Sequence, residues 1–432
     1  MNDQQPAQWP SASRRDFLKT GTAAVVGGAL ATQQGLAFGA FAGGSDTLKI
    51  GLVGCGGRGG GAAVNALSAD SDVKIVALGD LFEDRAASCL TNLQNSEFKS
   101  RVDIPKERVF TGWDAFKKVL DTDIDIVILA TPPHFRPEQI KAAVAAGKHI
   151  FAEKPVAVDA PGVHSVMATC IEAKKKNLAV VSGLCWRYDH GMRATFEQVL
   201  SGGVGDIIAI QATYNTGTLK QFPRQPAWSD MEWQLRNWQH FTWASGDFNV
   251  EQHIHSLDKV AWAMKDETPI RCTGTGGRQA RQGPESGHIY DHFNVVYEYA
   301  NGVKAFCNCR QMDGTSNDVT DFVFGTKGIA DVFKHRIKGE QDWKFSGNKG
   351  NMYETEHAEL IASIRAGKPI NNGDYMCKST MMAIMGRMSA YTGQTLTWEQ
   401  AFNSKQNLTP PAYEFGKLAM PPVAVPGVTE FI

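Results

Sequence analysis

Hydrophobic and polar positions along this chain fall into two textures, with the change near residue 206. Ahead of it, apolar runs at 48–53, 73–78, 125–130, 148–152 and 178–183 are separated by stretches of helical character, such as 137–146. Short continuous apolar runs bounded by turn residues read as strands buried on both faces. Strands alternating with helices predict a parallel sheet wound on both sides. Pro155 marks where the run at 148–152 stops, because proline cannot donate to a ladder. Beyond 206 come strand-like segments at 206–213, 270–276, 293–300 and 303–310. The last two flank Asn301-Gly302, the strongest short hairpin signal, and helices are expected at 354–366 and 380–391. This half reads as a second domain with a mostly antiparallel sheet. Residues 216–247, rich in Trp and Pro, show no clear period, and a loop of that length is uncommon unless functional.

The first residues have a different purpose. Ser13-Arg14-Arg15-Asp16-Phe17-Leu18-Lys19 precedes a Gly/Ala-rich apolar run to about residue 31, and Ala40-Phe41-Ala42 fits a small-x-small cleavage site. The run is short for a membrane span, which needs roughly 20 apolar residues. Charge, apolar run and cleavage site in this order resemble a bacterial twin-arginine (Tat) export signal. Residues 1–42 are therefore set apart from the fold, and the mature chain is expected to have no membrane span. The expected domains are a dinucleotide-binding domain at 46–170 and a substrate-binding and oligomerisation domain at 171–432.

Composition narrows the classes little. The chain of 432 residues has room for two domains, and a hydrophobic content of 43% is ordinary for a globular protein. A formal net charge of −1 with 21% charged residues gives no electrostatic footprint for nucleic acid, so none is expected as a partner. The eight cysteines are scattered and form no C-x-x-C, which points to buried free thiols rather than a disulfide framework or zinc site.

The first apolar run leads into Gly54-Cys55-Gly56-Gly57-Arg58-Gly59. Gly54 permits a tight turn, Gly56 a close approach of backbone to a pyrophosphate, and Gly59 close packing of the following helix. That helix's N-terminus offers N–H groups and partial positive charge to the phosphates. Asp80 ends the next strand, where it would accept hydrogen bonds from the adenosine ribose and repel a 2′-phosphate. NAD is therefore the expected cofactor, held on a Rossmann domain.

The stretch "ATPPHFRPEQIKAAVAAGKHIFAEKPVAVD" at 130–159 resembles the signature of the Gfo/Idh/MocA oxidoreductases, and "SGDFNVEQHIHSLD" and "AYTGQTLTWEQA" match a bacterial, often exported branch. The resemblance covers most of the mature chain. It implies an α/β fold: an N-terminal Rossmann domain plus a C-terminal α/β domain with a large, mostly antiparallel open sheet that often mediates homo-oligomers. It also implies a carbohydrate or polyol substrate lying between the two domains. Thr131, Pro132 and His134 fall in the cofactor-binding part of the signature. Glu153-Lys154-Pro155 matches the family's Glu-Lys-Pro, whose lysine sits beside the nicotinamide and the substrate hydroxyl. A cation there stabilises a developing alkoxide.

Glu251, His253, His255 and Asp258 occupy the places of the family's Asp-x-Gly-x-His-x-x-Asp, with Glu for the first Asp and His253 for the Gly. On one regular helix, residues 251, 255 and 258 would share a face. His255, titrating near neutrality, suits a general base, and Glu251 would orient it or bind a sugar hydroxyl. His253 points roughly opposite His255 if the helix is regular, and could also face the cleft if the helix starts after it. His253 and His255 at i, i+2 diverge on a helix, so no metal is expected. Arg187 and Tyr188 match a segment near the substrate, and read equally as packed residues at a helix start; Arg236 is a weaker candidate of the same kind. Trp228, Trp233, Trp238 and Trp243 read equally as a sugar-stacking wall or as packing for the long loop.

An export signal ahead of a dinucleotide loop sends the chain where no NAD pool can replenish it. The Tat machinery, expected as a partner, carries proteins already folded, so cofactor can be loaded first. Three expectations follow. Bound NAD could oxidise a sugar hydroxyl, at C3, and give the hydride back after glycoside cleavage. It could instead pass the hydride to a second sugar, as the exported glucose–fructose oxidoreductases do. The third is a nucleotide-holding protein without chemistry, against which Lys154 and His255 both stand.

Overall fold

Six short strands form the first sheet: β1 (Leu48–Val53), β2 (Val73–Asp80), β3 (Val109–Thr111), β4 (Ile126–Leu129), β5 (His149–Ala152) and β6 (Val180–Ser182). All neighbours run parallel, in the order β3-β2-β1-β4-β5-β6. The computed structural model describes residues 47–432, and Thr47–Ile432 is one compact unit. The expected export signal at 1–42 lies outside the described residues.

Apolar residues succeed one another in these strands because both faces are covered. Ile50, Leu52, Ile75, Ile128 and Phe151 pack on one side with Ala62, Ala66 and Leu67 of the helix Gly57–Ala69. Val53, Ala77, Val127, Leu129 and Ile150 pack on the other with Ile140 and Val163. The boundary expected at 170 falls inside the helix Ala160–Lys175, which leads into β6. The chain also returns to this sheet much later: Leu360 and Ile361 of the helix Met352–Arg365 pack on its first face, and Val180 donates to the Ile370 carbonyl at 2.9 Å.

The second sheet has nine strands: β7 (Ile207–Thr216), β8 (Arg271–Gly277), β9 (His292–Glu298), β10 (Lys304–Gln311), β11 (Asp318–Gly325), β12 (Gly328–Asp331), β13 (Arg336–Gly339), β14 (Trp343–Lys344) and β15 (Leu396–Thr397). Their order is β14-β13-β12-β11-β7-β10-β9-β8-β15; β7 and β10 run parallel and the other neighbouring pairs antiparallel. The expected hairpin forms, with Gly302 at φ +86° between β9 and β10. Residues 216–247 are not one structureless loop. They contain the helices Asp230–Arg236 and Thr242–Ser245, folded onto a third apolar cluster of Phe82, Met231, Trp233, Leu235, Phe241 and Trp243.

The helix Gly373–Thr392 fixes the site. It is buried almost throughout and lies against the inner face of the second sheet, where Tyr297 donates to the Met382 carbonyl at 2.9 Å. Arg387 reaches back to the Val158 carbonyl at 2.7 Å and the Gly246 carbonyl at 3.2 Å. Asn249 donates to the Ala383 carbonyl at 2.9 Å. One helix thereby holds both the turn after β5 and the segment carrying Glu251. Among the described residues, no helix is long and apolar enough to cross a membrane, and all eight cysteines are buried and free.

Candidate active site

The glycine turn makes a cradle that side chains would fill. A Cβ on Gly59 would stand 1.8 Å from the Gly54 carbonyl oxygen, and one on Gly54, at φ +94°, would stand 2.6 Å from Ala130 and Thr131 backbone atoms. These two glycines let β1, the first helix and the turn after β4 close on one another. Gly56 and Gly57 face open space instead: a Cβ on Gly57 meets nothing within 4 Å, and one on Gly56 only Arg85, at 3.8 Å. That space, beside the helix start, is where a pyrophosphate fits.

A cavity of about 340 Å³ runs along the turn. Gly54, Gly56, Arg58, Asp80, Thr131 and Pro132, named above as candidate cofactor residues, line it. Asp80 is 8% exposed; Oδ2 accepts from the Cys55 N–H at 2.6 Å and Oδ1 from the Phe82 N–H at 2.9 Å. Burial raises its carboxyl above the usual range, against the pull of those two N–H groups. Each oxygen retains a lone pair for a ribose hydroxyl. The residues present therefore fit a dinucleotide. Cys55 contributes through its N–H, since its side chain is buried.

Arg58 links the cradle to the reacting groups. Its guanidinium donates to Glu153 and, at 3.1 Å, to buried Glu356. The next residue, Lys154, places Nζ 2.5 Å from the Glu251 carbonyl oxygen and 3.2 Å from Glu251 Oε1. Glu251 Oε2 and His255 Nδ1 are buried without a partner in the protein. His255 is pushed well below its ordinary pKa by burial and by the cations Lys154, Lys259 and Arg58. It is a neutral imidazole at pH 7, which corrects the expectation of a group titrating near neutrality. A cation, an unpaired carboxylate oxygen and an unpaired imidazole nitrogen together suit a substrate rich in hydroxyls.

Other expectations are corrected. Residues 251, 255 and 258 do not share one helix: Phe248–Glu251 and Ile254–Ala263 are separate, with the break at Gln252 and His253. Glu251 still meets Lys154, whereas Asp258 turns to Arg187, at 2.9–3.1 Å, and to Ser379 at 2.8 Å. Arg187 is engaged by Asp258 and Asp266, with Tyr375 3.9 Å beneath its guanidinium, so most of its donors are committed within the protein. Tyr188 is packed, 3% exposed, and donates to Asn372 Oδ1 at 2.9 Å. His253 is fully buried, its Nδ1 3.0 Å from Asn249 Oδ1, and burial pushes it down to about 3.

Two more expected substrate residues lie at the dinucleotide end. Trp238 lines the 340 Å³ cavity, and Arg236 pairs with Asp84 at 3.0 Å and Glu232 at 2.9 Å. His134, expected against the cofactor, is not part of the cavity lining and has Nε2 2.8 Å from the Tyr413 hydroxyl; its neighbour Phe135 lines the cavity. Trp233 and Trp243 are core residues, as Trp243 Nε1 donates to Gln234 Oε1 at 2.8 Å.

Several contributors escaped the sequence reading. Phe82, Arg85, Trp113, Gln139 and Leu235 line the cavity. Buried Arg136 donates to the Thr131 carbonyl at 2.6 Å and to the Pro155 carbonyl, tying the two turns together. Tyr214 on β7 lies 6.4 Å from His253, ring to ring. The alternation of β7 could have marked Tyr214 as inward; nothing local marks the rest. Among the described residues, no three His, Cys, Asp or Glu side chains gather as a metal set.

Residues 48–182 match an oxidoreductase family with an NAD-binding Rossmann fold, and residues 192–331 match the GFO/IDH/MocA C-terminal domain. The chain is 26% identical to inositol 2-dehydrogenase of Serratia proteamaculans over 288 residues, 66% of this chain and 73% of that protein. It is 26% identical to 2,7-anhydro-N-acetylneuraminate hydratase of Escherichia coli over 179 residues, 41% of this chain and 44% of that one. In fold it is similar to aldose-aldose oxidoreductase of Caulobacter crescentus, with a TM-score of 0.65 at 18% identity over 81% of this chain and 99% of that one.

Proposed function

This chain belongs to the GFO/IDH/MocA oxidoreductases, and from that premise we propose that it is an exported, sugar-active enzyme that keeps one NAD through many turnovers. The observation that carries a polyhydroxylated substrate is the unpartnered pair, Glu251 Oε2 and His255 Nδ1, beside Lys154. An inositol dehydrogenase and a sialic-acid hydratase among the relatives are in keeping with that chemistry.

Lys154 binds the hydroxyl to be oxidised, at C3 of a sugar, and lowers the cost of its developing alkoxide. Neutral His255 takes the hydroxyl proton. Glu251 accepts from a neighbouring hydroxyl through Oε2 and holds Lys154 through Oε1. When bound, NAD supplies the hydride acceptor and, in a redox-neutral cycle, the donor of the last step.

In that cycle the 3-ketone acidifies C2–H. A base takes that proton, the C2–H electron pair becomes a C1=C2 bond, and the C1–O pair leaves on the aglycone oxygen, which takes up a proton. Water then adds across C1 and C2, and reduction at C3 restores the sugar. The Arg14-Arg15 signal motivates the cycle, since an envelope enzyme has no NAD pool to draw on. Tat export after folding, a periplasmic site of action and self-association belong to the same proposal. Phe306 and Ile329, 46% and 42% exposed on the open face of the second sheet, support the last.

The test is turnover of glycosides in deuterated water with no added cofactor or acceptor. Many turnovers, deuterium at C2 and retained hydrogen at C3 are expected. A stall after one equivalent, relieved by a second sugar and without bond cleavage, would replace the cycle with sugar-to-sugar hydride transfer.

A further inference from the structure

Two chain segments far apart in sequence meet over the outer wall of the dinucleotide cavity. The first is 228–239, which supplies Leu235, Trp238 and Gln239 to the cavity lining. Arg236 ties it to the first domain through Asp84 and lies 4.1 Å over the ring of Phe82, itself a wall residue.

The second segment is 409–418. The Phe415 ring stacks on Phe82, with centroids 6.0 Å apart and planes at 19°. Phe415 and Tyr413 also pack on Trp113, at 5.5 and 5.8 Å, and Tyr413 on Phe135, at 5.8 Å. Trp113 and Phe135 both line the cavity.

The two segments are joined to each other. Met231 donates to the Gly416 carbonyl at 3.2 Å, Gln234 Nε2 to the Leu418 carbonyl at 2.9 Å, and the Leu418 N–H to Asp230 Oδ2 at 3.3 Å. Both flanks of the second segment are anchored. The Leu408 N–H donates to Asp159 Oδ2 at 2.9 Å, and Tyr290 donates to the Ala424 carbonyl at 2.9 Å. A strap fixed at both ends and laced to a second segment does not fray like a free terminus.

We infer that segments 228–239 and 409–418 form a clasp over the adenosine end of the site, and that NAD leaves only after the clasp opens. The inference rests on the retained-cofactor reading above and gives it a physical basis in this chain. Retention is a matter of dissociation rate, and a roof that must unlace before release slows dissociation without adding contacts to the reacting end.

The test measures NAD release from the full chain after dilution into excess competing nucleotide, for the wild type, Tyr413→Ala/Phe415→Ala and Asp84→Ala. Tyr413 and Phe415 are 40% and 48% exposed, and Asp84 lies at the surface, so each variant can be compared as a folded protein by melting temperature. Release at least about tenfold faster from the aromatic double variant, and about three- to tenfold faster from Asp84→Ala, is expected. Slow release from the wild type with unchanged rates in both variants would overturn the clasp and leave retention standing. Fast release from the wild type would instead remove the retained-cofactor reading.

Discussion

At the adenosine end of the groove, polar groups are already matched: both oxygens of Asp80 accept backbone N–H groups before any ribose arrives. At the reacting end they are not, and Glu251 Oε2 and His255 Nδ1 are buried and unpaired next to Lys154. The first end is preorganised, its carboxylate already held by the backbone in the geometry its ligand meets. The second carries unsatisfied groups that only a substrate relieves, so substrate binding there can be converted into orientation for chemistry.

The largest effects should come from the unmatched end. Lys154→Ala and His255→Ala should each lower kcat by about a thousandfold, since both act on one substrate hydroxyl. Because they act as a unit, the double variant should be no worse than the poorer single one, and each should retain its bound NAD. Single-turnover kinetics with quantified cofactor checks both points. Fully additive losses would separate the two roles.

The matched end should respond in affinity. Asp80→Ala should cost about 1.5–3 kcal/mol of NAD binding, and much less for NADP. Losing the carboxylate also orphans the Cys55 and Phe82 N–H groups, so stability should fall as well. The ratio of NAD to NADP affinities, read in paired titrations, is insensitive to that common loss. An unchanged ratio would show that Asp80 supports the turn without reading the ribose.

The smallest effect sharpens the comparison through pH. His255 is held well below the ordinary histidine value by burial and by neighbouring cations. Its base form is therefore already present at pH 6.5, and kcat/KM should stay level as pH falls through 6.5, declining only below it. Removing one cation, in Lys154→Met, should move the residual acid limb upward. An acid limb centred at 6.5 in the wild type would mean that His255 is solvated or is not the base.

The same contrast explains what the sequence disclosed. The glycine turn, Asp80 and Glu153-Lys154 follow strand ends directly, so local pattern places them. The alternation of apolar runs and turns likewise marks the parallel sheet and the β9–β10 hairpin. The resemblance names Lys154 and Glu251 separately; their pairing rests on Arg387 and Asn249, which tie both segments to one buried helix. Residues 251, 255 and 258 have helical spacing but share no single helix, because the helix breaks at Gln252 and His253. Arg187 and Tyr188 were drawn toward the substrate by their neighbours in sequence, while Asp266 and Asn372, distant partners, claim them. Tyr413 and Phe415 carry no periodic signal, since only the fold brings them to Trp113 and Phe82.

The central claim is that the cofactor stays with the chain. The direct measurement is the NAD released on denaturing the full-length protein after exhaustive dialysis, counted against protein. A clasped site predicts about one NAD per chain, because slow dissociation outlasts dialysis. Empty sites that refill only weakly from added NAD would contradict it.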